Sequence, residues 1–170
     1  MIVVALVAFV VMEFVSYALH RWVMHGRRGL VLHASHHAPP RGRFERNDAY
    51  PAMFAVVGVG MFALAAAGLF PRWAWWAAAG VTLYGIAYLV VHELFIHRRA
   101  PVRVPETRYL RWLRESHRAH HVDGGEPYGM LLPVTLRRGR RLGQPARHDA
   151  DGGDDDELVR ARIRPIRQRL

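Results

Sequence analysis

The chain has 170 residues, of which 51% are hydrophobic and 22% are charged, and its formal net charge is +10. The charge is segregated: residues 52–71 and 73–91 carry none, and residues 1–19 carry a single acid, Glu13. As helices, uncharged apolar runs of this length span about 30 Å, the thickness of a bilayer core. The composition therefore excludes a water-soluble globular domain and predicts an all-α integral membrane protein.

Two missing residue types remove several chemistries. The chain has no cysteine, which excludes disulfides, cysteine-ligated clusters and a cysteine nucleophile. All 24 basic residues are arginine, which excludes a lysine Schiff base. These arginines flank the apolar runs, an arrangement typical of anionic lipid contacts and membrane topology. We therefore expect membrane lipid as a partner and no nucleic acid.

The apolar runs predict three membrane spans. The first runs from about Met1 to Trp22; its basic residues follow the apolar run, so an uncleaved span with its N-terminus outside fits better than a signal peptide. The second span, 52–70, is rich in Gly and Ala, which predicts a close approach of neighbouring helices. The third span, 73–97, follows a tight break at Pro71 and begins with tryptophans typical of a membrane interface.

Three spans place the loop 23–51 and the segment after residue 97 on one side of the membrane. Both are rich in arginine, whereas Arg72 stands alone on the other side, so the positive-inside rule makes the arginine-rich side cytoplasmic. A short apolar stretch at 128–136 predicts an interfacial or re-entrant segment. Blocks of Arg and Asp at 138–170 predict a charged, disordered tail after a membrane-embedded domain of residues 1–137.

Ten of the eleven histidines fall in two windows, 20–37 and 92–121, and repeat two spacings in the same order. HRWVMH is followed by HASHH, and HELFIH by HRAHH, so the chain looks like two similar halves around the second span. On a helix the HX2HH residues share a face, which would aim three imidazoles at one point. The HX4H residues lie about 140° apart on an ideal helix, so they converge only if the second histidine sits at a helix end or distortion.

The predicted topology brings all four motifs to one membrane face. Dense imidazoles beside many arginines disfavour the protonated form and leave nitrogen lone pairs for Fe, Zn or Cu. Ten imidazoles are too many for one ion and suit two, with open positions for oxygen. The predicted ligands are His20, His25, His33, His36, His37, His92, His97, His117, His120 and His121. His148, in the tail, has no predicted role.

Over about residues 13–132 the chain resembles the bacterial β-carotene 3-hydroxylases of the fatty-acid hydroxylase superfamily. The resemblance rests on the combined order of the four motifs and on the stretches EFVSYALHRWVMHG, LHASHH, FERNDAY, YGIAYLVVHELFIHRR, YLRWLRESHRAHH and EPYGMLLP. It implies a di-iron monooxygenase of the bacterial inner membrane, with the ten histidines as ligands and no catalytic residue beyond them.

The same resemblance implies a reaction and its partners. Oxygen from O2 would be inserted into C3–H of the β-ionone rings of β-carotene, giving β-cryptoxanthin and then zeaxanthin. The carotenoid would come from the bilayer, and the electrons from a ferredoxin with its ferredoxin reductase.

Further side chains have predicted roles around the histidines. Asp48 and Glu93 are predicted to orient ligand imidazoles, with capping of the second span as the alternative for Asp48. Tyr84 and Tyr88, one turn apart on the third span, are predicted to line the substrate entrance, with helix packing or interfacial anchoring as the alternative. Glu13 is costly in an apolar span, so it either bonds near the site or pairs with an arginine between helices.

Three other functions stay open from the sequence. Hydroxylation or ketolation of another membrane lipid, such as a fatty acyl chain, a sterol or another carotenoid, fits the same motifs. A haem-binding electron carrier would use paired histidines on facing helices. A metal transporter would place its ligands near the middle of the bilayer, whereas these lie at one end.

Overall fold

A computed structural model describes residues 1–38, 42 and 44–134, and these form helices and connecting segments with no β-strand among them. Five α-helices occur in them: α1 (Ile2–Ala18), α2 (Leu30–His33), α3 (Ala49–Ala66), α4 (Trp73–Tyr88) and α5 (Arg108–Asp123). Two π-helical segments continue α1 and α4 without a break, π1 (Leu19–Met24) and π2 (Leu89–Ile96). The predicted tail at 138–170 lies outside the described residues.

Three helices are long and apolar enough to cross a membrane: Ile2–Met24, Arg46–Ala66 and Trp73–Ile96. Large apolar side chains on these helices are exposed, among them Phe14 at 66% and Val56 at 72%. Apolar surface of this extent is stable against lipid rather than against water. The predicted all-α membrane fold with three spans is therefore confirmed.

The second span occupies a different stretch from the predicted 52–70. A short 3₁₀ turn, Arg46–Asp48, leads into α3, which ends at Ala66. Gly68 then adopts a φ of 72°, and the N–H of Leu69 donates to the carbonyl oxygen of Leu64 at 3.0 Å. Glycine reaches this left-handed conformation at little cost, and it ends the helix there. Residues 69–70 consequently belong to the turn before α4.

Helix α4 contacts both α1 and α3, but the two contacts differ. A Cβ added at Gly80 would collide with the carbonyl oxygen of Ala5 and would lie 2.8 Å from the Cβ of Ala8. A Cβ added at Gly58 of α3 would make only an ordinary contact of 3.7 Å with Oγ1 of Thr82. A Cβ added at Gly60, the other glycine of α3, would meet nothing within 4 Å. The close approach predicted for the Gly- and Ala-rich second span is therefore found between α1 and α4 instead.

Helix α5 carries the last histidine motif toward the end of the third span. It begins after Thr107, whose Oγ1 accepts the N–H of Leu110 at 3.2 Å, and it ends at Gly124, whose φ is 71°. Both are common helix boundaries. The buried residues of α5 recur at helical spacing: Leu113, Ser116, His117 and His120. This buried face contacts π2, so its histidines meet those of the third span.

After α5 the chain turns back against α1. The carboxylate of Glu13 accepts hydrogen bonds from the backbone N–H groups of Met130, Leu131 and Leu132 at 2.8–3.1 Å. The short apolar stretch predicted at 128–136 is irregular as far as residue 134 and lies beside the first span. Glu13 thus bonds near the histidines, the first of the two alternatives the sequence left for it.

Candidate metal centre

The two HX4H motifs lie in π1 and π2 and at their ends. The N–H of His25 donates to the carbonyl oxygen of His20 at 3.1 Å, and that of His97 to the carbonyl oxygen of His92 at 3.0 Å. Each bond joins residue i+5 to residue i, which is the π-helical pattern and places the two histidines one turn apart. The predicted helix end and the predicted distortion are both present, because His25 and His97 directly follow the last π-helical residues.

The HX2HH motifs do not aim three imidazoles at one point, and this prediction was wrong. The possible ligand atoms form two groups, within each of which all atoms lie within 4.8 Å of one another. His33 and His37 belong to one group and His36 to the other, and the second motif is divided in the same way between His117 and His120. Adjacent helical residues point about 100° apart, so the i+3 and i+4 side chains leave on either side of residue i.

We call these sets the first and the second histidine group. The first group contains His20, His25, His33, His37 and His120, and the second contains His36, His92, His97 and His117. His121 lies beside the second group: its Nε2 is 2.8 Å from Nε2 of His117, and its ring centroid is 4.3 Å from that of His37. All ten histidines predicted from the motifs are therefore in one cluster.

Each group takes one histidine from the opposite half of the chain. The first group draws on residues 20–37 and also on His120, whereas the second draws on residues 92–117 and also on His36. His36 and His120 hold the same middle position in their HX2HH motifs. The two similar halves predicted from the sequence thus exchange equivalent side chains.

Hydrogen bonds at Nδ1 determine which ring nitrogen carries the proton. Nδ1 of His20 lies 2.8 Å from the carbonyl oxygen of Tyr128, and Nδ1 of His120 lies 2.5 Å from that of Gly125. A carbonyl oxygen only accepts, so in a neutral ring Nδ1 is the donor and Nε2 keeps its lone pair. These two rings turn a metal-binding nitrogen toward the first group.

Three more histidines have side-chain oxygens at Nδ1: Asn47 for His33 at 2.8 Å, Glu45 for His36 at 3.1 Å and Glu93 for His92 at 2.8 Å. Such partners orient imidazoles and raise their basicity in metal sites. Glu93 is one of the two predicted residues of this kind. Glu45 and Asn47 were missed, although both lie in the FERNDAY stretch, because no spacing rule says which of its side chains reaches an imidazole.

The unprotonated Nε2 atoms face one another. Nε2 of His20 lies 3.2 Å from Nε2 of His33, and both rings hold their proton on Nδ1, so no proton joins the two nitrogens. Nε2 of His36 and Nε2 of His92 are buried without a hydrogen-bond partner in the part of the chain that the structure describes. Opposed lone pairs and unpaired buried nitrogens cost free energy unless a cation lies between them. This donor set fits a borderline transition-metal ion such as Fe, Zn or Cu.

Imidazoles outside the spans resist protonation. Burial lowers the pKa of His33 to about 4 and the pKa values of His97 and His120 to about 3. Burial, followed by neighbouring histidines, lowers the pKa values of His25 and His121 to about 2. The sequence had pointed to neighbouring charge as the cause, whereas burial is the larger one. At neutral pH these nitrogens are available to a metal ion.

A charged network lies beside the second group. Oε2 of Glu93 pairs with Arg99 at 2.7 Å, and its Oε1 accepts from the hydroxyl of Tyr88 at 2.8 Å. Arg99 also pairs with both carboxylate oxygens of Asp48, at 2.6 and 2.8 Å. Asp48 in turn accepts the backbone N–H of Glu45 at 2.9 Å. Asp48 does not contact an imidazole directly: it is connected to His92 through Arg99 and Glu93, and to His36 through Glu45. It also caps the 3₁₀ turn before α3.

An apolar cavity of about 680 Å³ lies among α1, α3, α4 and π2. Its lining includes the apolar side chains of Met12, Met24, Phe54, Phe62, Ile86 and Leu94. His33, His36 and His92 also line it, so the cavity extends to both histidine groups. Tyr84 and Tyr88 lie in its wall, and their hydroxyls are bonded to Glu13 at 2.7 Å and to Glu93 at 2.8 Å.

Comparison with known proteins gives the family. Residues 5–136 match the family model described as Fatty acid hydroxylase. The chain is 36% identical to a β-carotene hydroxylase of Pantoea ananas over 167 residues, which is 89% of this chain and 94% of the relative. It is 40% identical to a β-carotene hydroxylase of a Paracoccus species over 129 residues, 75% of this chain and 77% of the relative.

A further relative comes from a plant. The chain is 37% identical to a chloroplastic β-carotene 3-hydroxylase of Arabidopsis thaliana over 130 residues, 74% of this chain and 43% of the relative. No solved structure matches the chain at a significant level. The family match and the similarity to these hydroxylases agree with the resemblance carried by the histidine motifs, and the chain belongs to the fatty acid hydroxylase family of hydroxylating oxidoreductases.

Proposed function

We propose that this protein hydroxylates C3 of the β-ionone rings of β-carotene, giving β-cryptoxanthin and then zeaxanthin, with O2 as the co-substrate. The observation that carries the proposal is the cavity: its walls are apolar, it lies between membrane spans, and it ends at unprotonated imidazole nitrogens. A C40 hydrocarbon dissolves in the bilayer core and not in water, so a site between spans receives it from the side. Bacterial relatives that bear the name β-carotene hydroxylase, and that align over most of the chain, support this substrate.

Two iron ions are the proposed cofactors, one for each histidine group. The five nitrogens of the first group would hold one ion, and the four of the second group, with His121 as a fifth, would hold the other. When bound, iron would supply the redox chemistry that breaking an unactivated C–H bond needs, which acid–base side chains do not provide. The bonds at Nδ1 hold five of the ten rings, those of His20, His33, His36, His92 and His120, with Nε2 turned inward. No further catalytic side chain is proposed.

The cavity wall binds and orients the substrate in this proposal. Because the hydroxyls of Tyr84 and Tyr88 are engaged by carboxylates, both residues offer a hydrocarbon mainly the apolar surface of their rings. Phe54 and Phe62 of α3 line the same cavity. We assign this aromatic lining to the substrate entrance. A β-ionone ring of the substrate bound in this cavity would have its C–H bonds next to His36 and His92. Both histidines are buried and so are shielded from bulk water.

The reaction needs a reductant from outside the chain. When one atom of O2 enters a C–H bond, the other leaves as water, and two electrons and two protons are consumed. The chain has no cysteine to hold an iron–sulfur cluster. We therefore propose a ferredoxin with its ferredoxin reductase as the donor. Exposed arginines in and before α5, Arg103, Arg108 and Arg118, suit an acidic protein surface.

Expression in a β-carotene-producing bacterium tests the function. Chromatography of the pigments is expected to show β-cryptoxanthin and zeaxanthin, formed only with oxygen present. The purified protein is expected to hold about two irons per chain and to show no Soret band. Unchanged β-carotene, where a known hydroxylase works in the same host, would overturn the proposed substrate, and product analysis of the host's acyl lipids then tests the main alternative.

An alanine scan tests the ligand assignment. Alanine at each of the ten histidines is expected to abolish hydroxylation and to lower the iron content. His148→Ala, outside the described residues, is the matched control and is expected to leave both unchanged. Full activity in more than one of the ten variants contradicts the assignment.

A further inference from the structure

We infer that the two histidine groups are not equivalent: the second group binds its metal ion more tightly than the first and favours the more highly charged oxidation state. This inference rests on the proposed two-metal site. It depends on which atoms accept the hydrogen bonds that the Nδ1 atoms donate. Nδ1 lies on the opposite edge of each ring from Nε2, the nitrogen that would face the metal ion.

In the first group these acceptors carry no net charge. His20 and His120 donate to backbone carbonyls, those of Tyr128 and Gly125, and His33 donates to the side-chain amide of Asn47. In the second group, Nδ1 of two rings donates to a carboxylate: that of His36 to Glu45 and that of His92 to Glu93.

Equivalent positions of the two halves show the same contrast. His20 and His92 both open an HX4H motif, yet the first meets a carbonyl and the second meets Glu93. His36 and His120 both hold the middle of an HX2HH motif, yet His36 meets Glu45 and His120 meets a carbonyl. In each pair the histidine with the carboxylate belongs to the second group, so the asymmetry follows the metal position and not the half of the chain.

The charged side chains farther from the rings also make the surroundings of the second group more negative than those of the first. Among the described residues, the hydrogen-bonded network beside the second group contains three carboxylates, those of Glu45, Asp48 and Glu93, and one guanidinium, that of Arg99. The side chains of Glu45 and Glu93 are only 12% and 8% exposed, so solvent and salt screen their charges weakly. On the side of the first group, Arg21 pairs with Glu126 at 2.5 Å, and the two charges cancel. The carboxylate of Glu13 accepts from Tyr84 and from the backbone N–H groups of 130–132, and no imidazole of the described residues donates to it.

A carboxylate that accepts the Nδ1 proton draws that proton away from the ring and leaves more electron density on Nε2. The nitrogen becomes a stronger donor to a metal ion. The nearby negative charge also stabilises each additional positive charge on that ion. Both effects favour the second group, in affinity and in oxidation state.

Titration of the metal-free, full-length protein in detergent with Co²⁺ tests the inference, with bound cobalt followed by its visible absorption. Two binding steps of different affinity are expected. His97→Ala should remove the tighter step and His25→Ala the weaker one, which assigns each step to a group. Glu45→Gln and Glu93→Gln keep an acceptor oxygen but lose the charge, and each is expected to weaken the tighter step by about 10- to 100-fold and to spare the weaker one.

Asn47→Asp is the opposite change, because it places a carboxylate on the first group, and it is expected to tighten the weaker step. Glu106→Gln removes an exposed carboxylate that pairs with Arg111 and Arg114 before α5, and it should change neither step. If Glu93→Gln fails to fold, Glu45→Gln and Asn47→Asp still decide the question.

Equal affinities in the wild-type protein, or glutamine variants that weaken both steps alike, would overturn the inference and leave the two-metal site standing. A protein that binds fewer than two ions overturns the proposed function itself.

Discussion

The hydroxyl of Tyr84 donates a 2.7 Å hydrogen bond to the carboxylate of Glu13, and both residues are buried in the membrane-spanning part of the protein. The same carboxylate accepts three backbone N–H groups of the segment 130–132. That segment contains Met130, which lines the cavity, and it follows Tyr128, whose carbonyl orients His20. Glu13 therefore holds the cavity wall and one ligand-orienting carbonyl in register.

Replacement of Glu13 is expected to destabilise the protein in proportion to the acceptors lost. Glu13→Ala leaves the backbone donors of 130–132 without their acceptor, at about 1–3 kcal/mol for each buried group. Glu13→Gln keeps one acceptor oxygen, and Tyr84→Phe removes a single bond. Thermal unfolding in detergent should therefore rank the loss as Glu13→Ala, then Glu13→Gln, then Tyr84→Phe. An alanine variant as stable as Tyr84→Phe would contradict this role for Glu13.

Filling the cavity should block the substrate without disturbing the histidines. Gly85 lines the cavity, and a Cβ added there meets nothing within 4 Å. Gly85→Phe is expected to lower β-carotene hydroxylation by at least about tenfold while the metal content stays at the wild-type value. The matched control is Gly60→Phe, since a Cβ at Gly60 is equally unhindered and this residue is not part of the cavity lining. Equal activities of the two variants would exclude the cavity as the substrate site.

The metal-free protein is expected to lose stability as the pH falls from about 7 to about 5. Burial holds the pKa of His33 at about 4 in the folded protein, against about 6.5 in an unfolded chain. Between these values the unfolded chain binds more protons than the folded one, so the free energy of unfolding decreases as the pH falls. Each histidine of this kind contributes up to about 1.4 kcal/mol per pH unit. Thermal unfolding at several pH values measures the slope, and a flat profile would show that these imidazoles are not buried in the neutral form.

The orientation in the membrane can be measured with single cysteines, because the wild-type chain has none. The arginine distribution predicts, and we propose, that the protein lies in a bacterial inner membrane with both histidine groups at the cytoplasmic face. Arg72→Cys should then react with an impermeant thiol reagent in cells whose outer membrane has been made permeable. Arg28→Cys and Arg103→Cys, both exposed near the histidines in sequence, should react only after lysis. Labelling of these two from opposite sides would separate the two histidine windows and contradict a shared site.

Much of this arrangement was predictable because it depends on spacing along the chain. The apolar runs predict the spans, and the HX4H spacing predicts a distortion that the π-helical bonds from His25 and His97 supply. The division of each HX2HH motif was not predictable, since it requires knowing that the two histidine groups lie on either side of each motif. The roles of Glu45 and Asn47 depend on where the loop before α3 meets α2, a tertiary contact with no signature in sequence.

The crossing of His36 and His120 between the groups has a mechanical consequence. Neither half of the chain holds all the nitrogens of either histidine group, so ions bound at both proposed centres would tie residues 20–37 to residues 92–121 twice. Bound metal would then act as a pair of cross-links between halves whose covalent connection runs through α3 and α4. In a chain nicked in the turn at 67–72, chelation would remove both cross-links and leave the halves joined by the packing of α1 on α4 and by the hydrogen bonds of Glu13.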